Sequence, residues 1–330
     1  MRIFITGGTG NIGQYVTKQL QEKGHELVLL SRTPDRIPAI KALKNVTMVK
    51  GDTSDLEIMG EAVKGCDAVI YISRGWGNPP FEMLQNDNRS VVYLLQKAEE
   101  EGVKQFIYTS STAAYGFNYG DSMDEDHTVL RPKNLYGVAK AVNEMYVLGW
   151  HQKYESAGEN HGELGAEVTM KRNVIRPGYT ISVPAFEGGA SHSNPRMKNM
   201  VQAVLKNEDL IISESDTTQI LDSSQIAQAY VKLVESDLNE EVFLVLGDPI
   251  TAWAEIGRMA IKLVPESKSR VLPPPNDTRK KPIHIDVSKI KKYFGLSFDA
   301  TEFIRACLKW LIERERQILT GNDVYETSHR

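Results

Sequence analysis

Short apolar runs alternate with stretches of helical character along the first half of the chain. The predicted strands are Arg2–Thr6, Glu26–Ser31, Thr47–Lys50, Ala68–Ser73 and Gln105–Ser110. The predicted helices are Gly13–Glu22, Leu56–Val63 and Leu84–Glu101. This alternation predicts a parallel sheet covered by helices, and such a sheet binds ligands at the carboxyl ends of its strands.

The pattern changes around residue 178. Before that point come a predicted helix at Leu135–Tyr154, an exposed loop at Ser156–Ala166 and a sixth strand at Thr169–Arg176, which Pro177 and Gly178 end. The regular alternation then stops. The later predicted elements are helices at Val201–Lys206, Gln225–Val234, Thr251–Val264 and Ala300–Leu319, and a strand at Val242–Leu246. This change predicts a second, smaller and mostly C-terminal lobe.

Composition narrows the classes of partner. The 43 acidic and 39 basic residues nearly cancel, so the chain has no overall charge to attract nucleic acid. No apolar run approaches the roughly 18 residues that suggest a membrane span, and the N-terminus lacks the pattern of a signal peptide. We therefore expect a cytoplasmic protein without membrane or nucleic-acid partners. Cys66 and Cys307 lack metal-ligand spacing, which predicts reduced thiols and no metal site.

A glycine-rich segment joins the first strand to the first helix. Gly8, Gly10 and Gly13 fit the pattern G-x-G-x-x-G, while Gly7, Gly10 and Gly13 fit G-x-x-G-x-x-G. In both patterns the glycines make a tight turn and let the backbone approach a pyrophosphate at the helix N-terminus. The candidate cofactor-binding residues of this loop are Gly7, Thr9, Gly10, Asn11, Ile12 and Gly13.

The glycine loop gives the two parts of the chain their predicted roles. Its position in an alternating chain predicts a Rossmann-type, doubly wound α/β domain over residues 1–178, with residues 220–250 returning to it. Residues 179–219 and 251–330 are then expected to form an α/β lobe that binds the substrate.

The end of the second strand bears on the choice of cofactor. An acid there would bind the ribose hydroxyls of NAD, but this chain has Ser31 and Arg32, with Arg36 close by. A serine and a guanidinium suit a 2′-phosphate, which predicts NADP, with NAD as the alternative if Arg32 is only a surface charge. Asp52 and Thr53 end the third strand; Asp52 is placed to accept a hydrogen bond from adenine, or else only forms a turn. Ser73, which ends the fourth strand, is a further candidate contact.

Tyr136 and Lys140 lie one helical turn apart on one helix face. A nearby cation lowers the pKa of a phenol and lets tyrosine act as an acid or base near neutral pH. The pair Tyr93 and Lys97 has the same spacing, but it falls in a helix expected to cover the sheet. Tyr136 instead follows Ser111, which comes just after the fifth strand and can hold a substrate oxygen beside the phenol.

Together these motifs resemble the extended short-chain dehydrogenase/reductases of the NAD-dependent epimerase/dehydratase type. Further matches cover nearly the whole chain: Ser110-Ser111-Thr112-Ala113-Ala114-Tyr115-Gly116, Asn173–Gly178 and Asp286–Gly295. The resemblance implies that Ser111 and Tyr136 are catalytic, with Thr112 assisting. It also implies that Lys140 binds the nicotinamide ribose and that the segment containing Pro177 borders the nicotinamide.

The resemblance also implies a homodimer. In the family, the helices matching Leu84–Glu101 and Leu135–Tyr154 pair across a two-fold axis. The second of these helices carries more apolar surface than its own sheet needs to cover. The residues concerned are Val142, Met145, Tyr146 and Leu148.

Several positions depart from the family pattern. Thr112 and Ala113 replace the Asp-Glu pair of the 4,6-dehydratases, so no acid is available to eliminate water. Residues 216–219 lack the arginine that binds a nucleotide diphosphate in many sugar-nucleotide enzymes, and Asp87, between Asn86 and Asn88, aligns with an Asn near the cofactor. The loop at 73–77 is bulkier than expected, and neither the role of Arg74 and Trp76 nor that of the 156–166 loop follows from the sequence.

The leading hypothesis is an NADPH-dependent reductase of a small molecule, in which Tyr136 moves the proton at a secondary alcohol or ketone carbon. A nucleotide-sugar epimerase that retains NAD uses the same residues and remains an alternative. A cofactor-binding sensor or scaffold without catalysis is the alternative from another class.

Overall fold

A computed structural model describes residues 1–74, 80–116, 123–150, 169–191, 195–278 and 284–320, and the backbone of 152–154 and 164–167. Within these ranges, seven parallel strands form one sheet in the order β13-β8-β5-β4-β1-β2-β3. The strands are β1 (Arg2–Thr6), β2 (Glu26–Ser31), β3 (Val46–Lys50), β4 (Ala68–Tyr71), β5 (Gln105–Thr109), β8 (Lys171–Pro177) and β13 (Val242–Val245). The doubly wound α/β fold expected from the sequence is confirmed.

Helices cover both faces of the sheet, which explains why its central strands are mostly apolar and almost entirely buried. The helices of this part are α1 (Asn11–Glu22), α2 (Pro38–Lys41), α3 (Leu56–Ala62), α4 (Pro80–Met83), α5 (Ser90–Glu100), α6 (Leu135–Leu148) and α8 (Ser223–Val234). Val16 of α1 and Ile226 of α8 belong to the core on one face. Leu94 of α5 and Val147 of α6 belong to the core on the other face.

A separate apolar core lies in the smaller lobe and includes Met197, Trp253 and Leu308. Its helices are α7 (Pro195–Leu205), α9 (Trp253–Lys262) and α11 (Thr301–Leu319). Its short strands are β9 (Tyr179–Ile181), β10 (Leu210–Ile211), β11 (Thr217–Thr218), β12 (Ile220–Asp222), β14 (Thr251–Ala252) and β15 (Val271–Leu272). They form the pairs β9–β12, β10–β15 and β11–β14.

One segment that the sequence analysis assigns to the lobe packs elsewhere. Helix α10 (Ser288–Phe294) contacts β13 and α8. Ile290 and Phe298 are buried in the core between the large sheet and α1. The chain therefore returns to the large sheet and its helices a second time before α11 closes the lobe.

Two other predicted elements differ from the structure. The predicted helix Leu84–Glu101 begins as a π-helix at Leu84–Arg89 and continues as α5. The predicted helix Leu135–Tyr154 ends at Leu148, and β6 (Gln152–Tyr154) pairs with β7 (Leu164–Glu167), so part of the predicted loop is a strand. The pairing of β6 with β7 depends on contacts that helical periodicity does not reveal. Residues 155–163 lie outside the described ranges.

Candidate functional site

The glycine loop is folded so tightly that it excludes side chains. Gly7 has a φ of 73°, in the left-handed region that favours glycine. A Cβ on Gly13 would lie 2.0 Å from the Gly7 carbonyl oxygen, and one on Gly7 would lie 2.9 Å from the Ser73 nitrogen. The loop thus holds the end of β1, the start of α1 and Ser73 in direct backbone contact.

The N-terminus of α1 has the properties of an anion site. Gly10 is its N-cap and contributes no side-chain cap, and the first turn contains no acidic residue. The first amides of a helix lack intrahelical acceptors and carry partial positive charge, which suits a pyrophosphate. The Ser182 hydroxyl donates to the side-chain oxygen of Asn11, so β9 approaches this helix end. Thr9 and Ile12, the other two candidates, flank Gly10 and Asn11.

Arg32 does not stand alone at the end of β2. Its side chain is 78% exposed, and its Nε lies 3.7 Å from Oδ2 of Asp52 at the end of β3. Asp52 also accepts hydrogen bonds from the Ser54 nitrogen (3.0 Å) and hydroxyl (2.9 Å). The Ser31 hydroxyl oxygen accepts from the Thr33 nitrogen at 3.3 Å. The residues that the sequence assigns to the adenosine end therefore lie side by side, with Arg32 and Asp52 as an exposed ion pair.

Thr53 and Ser73 occupy the next two strand ends. Thr53 is buried and hydrogen-bonds the Tyr71 side chain. The Ser73 nitrogen donates to the Thr6 hydroxyl at 3.3 Å. Both residues therefore lie at the carboxyl edge of the sheet, as the sequence predicts.

Ser111, Tyr136 and Lys140 are held by two adjoining elements. Ser111 follows β5 and caps a 3-10 helix at Thr112–Ala114, where its oxygen accepts from the Ala113 nitrogen at 3.1 Å. Lys140 is only 1% exposed. Its Nζ donates to the Thr109 carbonyl at 3.0 Å and lies 5.9 Å from the centre of the Tyr136 ring.

The close approach of these elements has a local cause. A Cβ on Gly137 would lie 2.3 Å from the Ala113 carbonyl oxygen, so the start of α6 packs directly on the 3-10 helix. The Asn134 side chain caps α6 by accepting from the Gly137 nitrogen at 2.7 Å.

The second tyrosine–lysine pair, Tyr93 and Lys97, lies on α5, away from Ser111. The Tyr93 hydroxyl packs on Gly60 of α3, and Lys97 forms an ion pair with Glu100 at 2.6 Å. Context, rather than the spacing alone, therefore separates the two tyrosine–lysine pairs.

Sequence reasoning did not find a buried ion pair below Ser111. Arg176 Nη2 lies 2.6 Å from Glu144 Oε2, and both side chains are buried. The Ser110 hydroxyl also donates to Glu144, and Arg176 donates to the Tyr115 hydroxyl. Burial lowers the pKa of Arg176, but the hydrogen bond and charge of Glu144 outweigh it and raise that pKa. The available signal was that Glu144 lies one turn beyond Lys140 on the same helix face.

A second buried polar group connects the π-helix to α6. Asn88 donates to the Ala139 carbonyl at 3.1 Å and to the Asn143 side chain at 2.7 Å. Asn143 donates in turn to the Tyr108 hydroxyl at 2.9 Å. Burial and, next, the charge of the fully buried Asp87 raise the pKa of Tyr108.

The bulky loop after β4 is described only in part. Arg74 interacts electrostatically with Tyr136 and Asp87. Trp76 lies outside the described residues. Pro177 is buried at the end of β8 and pairs with Val245.

No described helix is long and apolar enough to cross a membrane. Within the same part of the chain, no three His, Cys, Asp or Glu side chains group so as to hold a metal ion. Burial raises the pKa of Cys66 to about 11 and that of Cys307 to about 12, so both free thiols are poorly reactive.

A tight glycine loop at the first βα turn of a doubly wound sheet defines a class of dinucleotide-binding enzymes. The chain belongs to the NAD dependent epimerase/dehydratase family, whose model matches residues 3–244. The resemblance inferred from the motifs is thus confirmed. The chain is accordingly an enzyme that works with a nicotinamide cofactor, as an oxidoreductase, an epimerase or a dehydratase.

Individual relatives are distant. The chain is 24% identical to a uronate dehydrogenase of Pseudomonas syringae pv. tomato, over 91% of this chain and 94% of that protein. It is 30% identical to an uncharacterised protein of Saccharomyces cerevisiae, but over 48% of this chain and only 51% of the yeast protein.

Among solved structures, a dTDP-glucose 4,6-dehydratase of Bacillus anthracis in complex with NAD matches with a TM-score of 0.76 and 16% identity. That match covers 96% of this chain and 98% of the dehydratase. A UDP-glucuronic acid 4-epimerase of Bacillus cereus, also with NAD, has a TM-score of 0.75 at 17% identity, covering 95% and 99%. At these identities, the structures establish the fold.

Proposed function

We propose that this chain is an NADPH-dependent reductase that acts at a secondary alcohol or ketone carbon of a small polar molecule. The observation that carries the proposal is the grouping of Tyr136, Lys140 and Ser111 at the carboxyl end of β5. Ser73 links this end of the sheet to a glycine loop whose tight backbone suits a dinucleotide. A nicotinamide cofactor, when bound, supplies the chemistry of hydride transfer.

Tyr136 is the proposed acid and base. In the reducing direction, its hydroxyl gives a proton to the substrate oxygen as that oxygen gains negative charge. The Lys140 ammonium, anchored on the Thr109 carbonyl, favours the phenolate that remains. Lys140 is also the proposed ligand of the nicotinamide ribose. Ser111 orients the substrate oxygen by a hydrogen bond, and Thr112 assists.

Two observations favour net oxidation or reduction over the other reactions of the family. Thr112 and Ala113 offer no acid for the elimination of water, which disfavours a dehydratase. Residues 216–219 offer no arginine for a nucleotide diphosphate, which disfavours a nucleotide-sugar epimerase. The similarity to a uronate dehydrogenase over nearly the whole of both chains supports the same choice.

The NADP preference rests on Ser31 and Arg32. With Ser31 in the place of an acid, no carboxylate at the end of β2 repels a 2′-phosphate. Arg32 is exposed and held at the strand end by Asp52, so a phosphate can reach its guanidinium. Asp52 is the proposed acceptor for the adenine amino group.

Two measurements on the purified protein test this proposal. One identifies any nucleotide that co-purifies, and its redox state. The other follows cofactor absorbance during reactions with ketones, sugar aldehydes and uronates, with NADPH, NADH and their oxidised forms. Stoichiometric change of added cofactor supports the reductase. If NAD is retained and the substrate is epimerised without net change of the cofactor, the reductase assignment is wrong and the chain is an epimerase.

A further inference from the structure

The substrate lobe holds an arginine in a defined orientation. The guanidinium of Arg196, in the first turn of α7, lies 4.2 Å from the centre of the Trp253 ring and donates to the Asp216 carboxylate. Trp253 is itself only 2% exposed, and its backbone nitrogen donates to the Asp216 carbonyl at 2.9 Å. Arg196 is therefore stacked on a fixed surface and paired with a fixed acid.

A short path of chain and contacts joins this cluster to the sheet edge that carries the proposed reaction site. Tyr179 comes two residues after Pro177, the last residue of β8, and its ring packs edge-on against Trp253 at 4.8 Å. Strand β8 pairs with β5, which leads to Ser111. The contacts thus run without a break from the carboxyl edge of the sheet to Arg196.

The chemistry of the cluster suits an anion. The guanidinium of Arg196 is a planar cation of the kind that binds carboxylates and phosphates, and its side chain is 37% exposed. Among the described residues, the buried Tyr179 hydroxyl has no hydrogen-bond partner. The Tyr179 ring and the Arg196 guanidinium both contact the Trp253 ring, which brings the two groups to the same side chain. A buried hydroxyl without a partner costs free energy, which a ligand oxygen would relieve.

We propose that Arg196 and the Tyr179 hydroxyl bind an anionic oxygen group of the substrate, either a carboxylate or a phosphate. Arg196 lies on α7, outside residues 216–219, and its single charge suits one anionic group of a small substrate. Asp216 and Trp253 hold the guanidinium in place and reduce the entropy lost on binding. This inference deepens the proposed function and rests on it for the position of the reacting carbon.

The test compares a hexuronate, the corresponding neutral hexose and the hexose 6-phosphate. Binding is measured by calorimetry with NADP⁺ present in the Tyr136→Phe variant, so that turnover does not interfere. We expect one of the two anions to bind, which distinguishes carboxylate from phosphate, and the hexose to bind at least about tenfold more weakly. Failure of both anions to bind better than the hexose would overturn the proposal.

Variants separate binding from a structural role. Adding Arg196→Gln should weaken anion binding about ten- to a hundredfold and leave hexose binding unchanged. Arg196→Lys keeps the charge but not the planar group with its paired donors. Its affinity for the anion should fall between that of the protein with Arg196 and that of Arg196→Gln. The control is Arg258→Gln, an exposed arginine of α9 paired with Glu214, which should change nothing.

The remaining outcomes are also informative. If Arg196→Gln lowered the affinities for the hexose and the anion equally and left NADP⁺ binding intact, Arg196 would have only a structural role. That result would refute the subsite. Anion binding that depends on Arg196, without turnover by the wild-type protein, would refute the proposed reductase and leave the subsite standing.

Discussion

Gly13 shows how strongly a single position constrains the cofactor loop. A Cβ there would lie 2.0 Å from the Gly7 carbonyl oxygen, a backbone atom that cannot move aside as a flexible side chain could. We expect Gly13→Ala to displace the loop and to weaken cofactor binding by at least about tenfold in a fluorescence titration. At Gly10, where the nearest contact would be 3.1 Å, the alanine variant should lose less. Equal affinities in the wild type and Gly13→Ala would contradict this account of the loop.

Arg32 is the residue on which cofactor choice depends. We expect the wild type to bind NADPH about tenfold more tightly than NADH, since one charge-assisted hydrogen bond is worth roughly that factor. Arg32→Ala should remove the preference without changing NADH affinity. A wild type with no preference, unaffected by Arg32→Ala, would return the assignment to NAD.

Glu144 is expected to matter for stability. Glu144→Gln would leave Arg176 as a buried cation without its counter-charge, which typically costs about 3–5 kcal/mol. Chemical denaturation should show this loss. Glu61→Gln, at the exposed ion pair with Lys64, is the matched control and should have little measurable effect. Similar small effects of the two substitutions would show that the buried pair does not stabilise the fold.

At the scale of single residues, local patterns were sufficient for the loop and the Tyr136–Lys140 pair. The glycine spacing and the spacing of Tyr136 and Lys140 by one helical turn can both be read within a few consecutive residues. Glu144 with Arg176, and Arg196 with Trp253, are brought together by the fold across 32 and 57 positions, and no local pattern marks such pairs. The ion pair of Arg32 with Asp52 joins two strand ends and was missed for the same reason.

Among the elements, the seven strands of the large sheet and most helices were predicted from the pattern of apolar and polar residues, whereas the short paired strands outside that sheet were not. The π-helix at Leu84–Arg89 was not predicted either, because its wider turn differs too little from an α-helix in side-chain pattern. Asn88 shows the consequence: from this segment it reaches α6 and bonds the Ala139 carbonyl. The end of α6 at Leu148 was also missed, because the chain there turns into a strand whose partner lies further along.

The outer face of α6 supports a homodimer. Its exposed apolar side chains recur at helical spacing, and Met145 is 63% exposed. Phe81 and Leu84, on the neighbouring helical segment, are exposed as well. Exposed apolar side chains on one helix face suit an interaction site. We expect light scattering to give a dimer mass at micromolar concentration. The exposed apolar side chains of α6 are Leu135, Val138, Met145 and Tyr146. Of the four residues expected from the sequence, Met145 and Tyr146 are exposed, whereas Val142 is half-buried and Leu148 packs against the core of the sheet.

A charge on this face should disrupt the dimer. We expect Met145→Lys to give a monomer, since an unpaired lysine would be buried at the centre of the interface. Phe303→Lys, at an exposed apolar residue of α11, is the control and should remain dimeric. A wild type that is monomeric, or a Met145→Lys variant that stays dimeric, would contradict the interface.

For the whole molecule, the sequence predicted a doubly wound sheet and a smaller lobe, and the structure adds how they are connected. The segment after β9 lies on α1, where the Tyr15 hydroxyl donates to the Val183 carbonyl at 3.0 Å and the Gln14 side chain accepts from the Ala185 nitrogen at 2.8 Å. Hydrogen bonds therefore join α1, the helix that follows the glycine loop, directly to the start of the lobe. Contacts of this range could not be derived from periodicity.

The proposed mechanism requires Tyr136 to move the proton during hydride transfer. The most direct measurement is kcat of Tyr136→Phe, with the best substrate of the wild type, together with the dissociation constant of the cofactor. We predict that kcat falls by at least about a hundredfold, the usual minimum for loss of a general acid, while cofactor affinity is nearly unchanged. Tyr93→Phe should behave as wild type. A Tyr136→Phe variant with near wild-type kcat would contradict the mechanism.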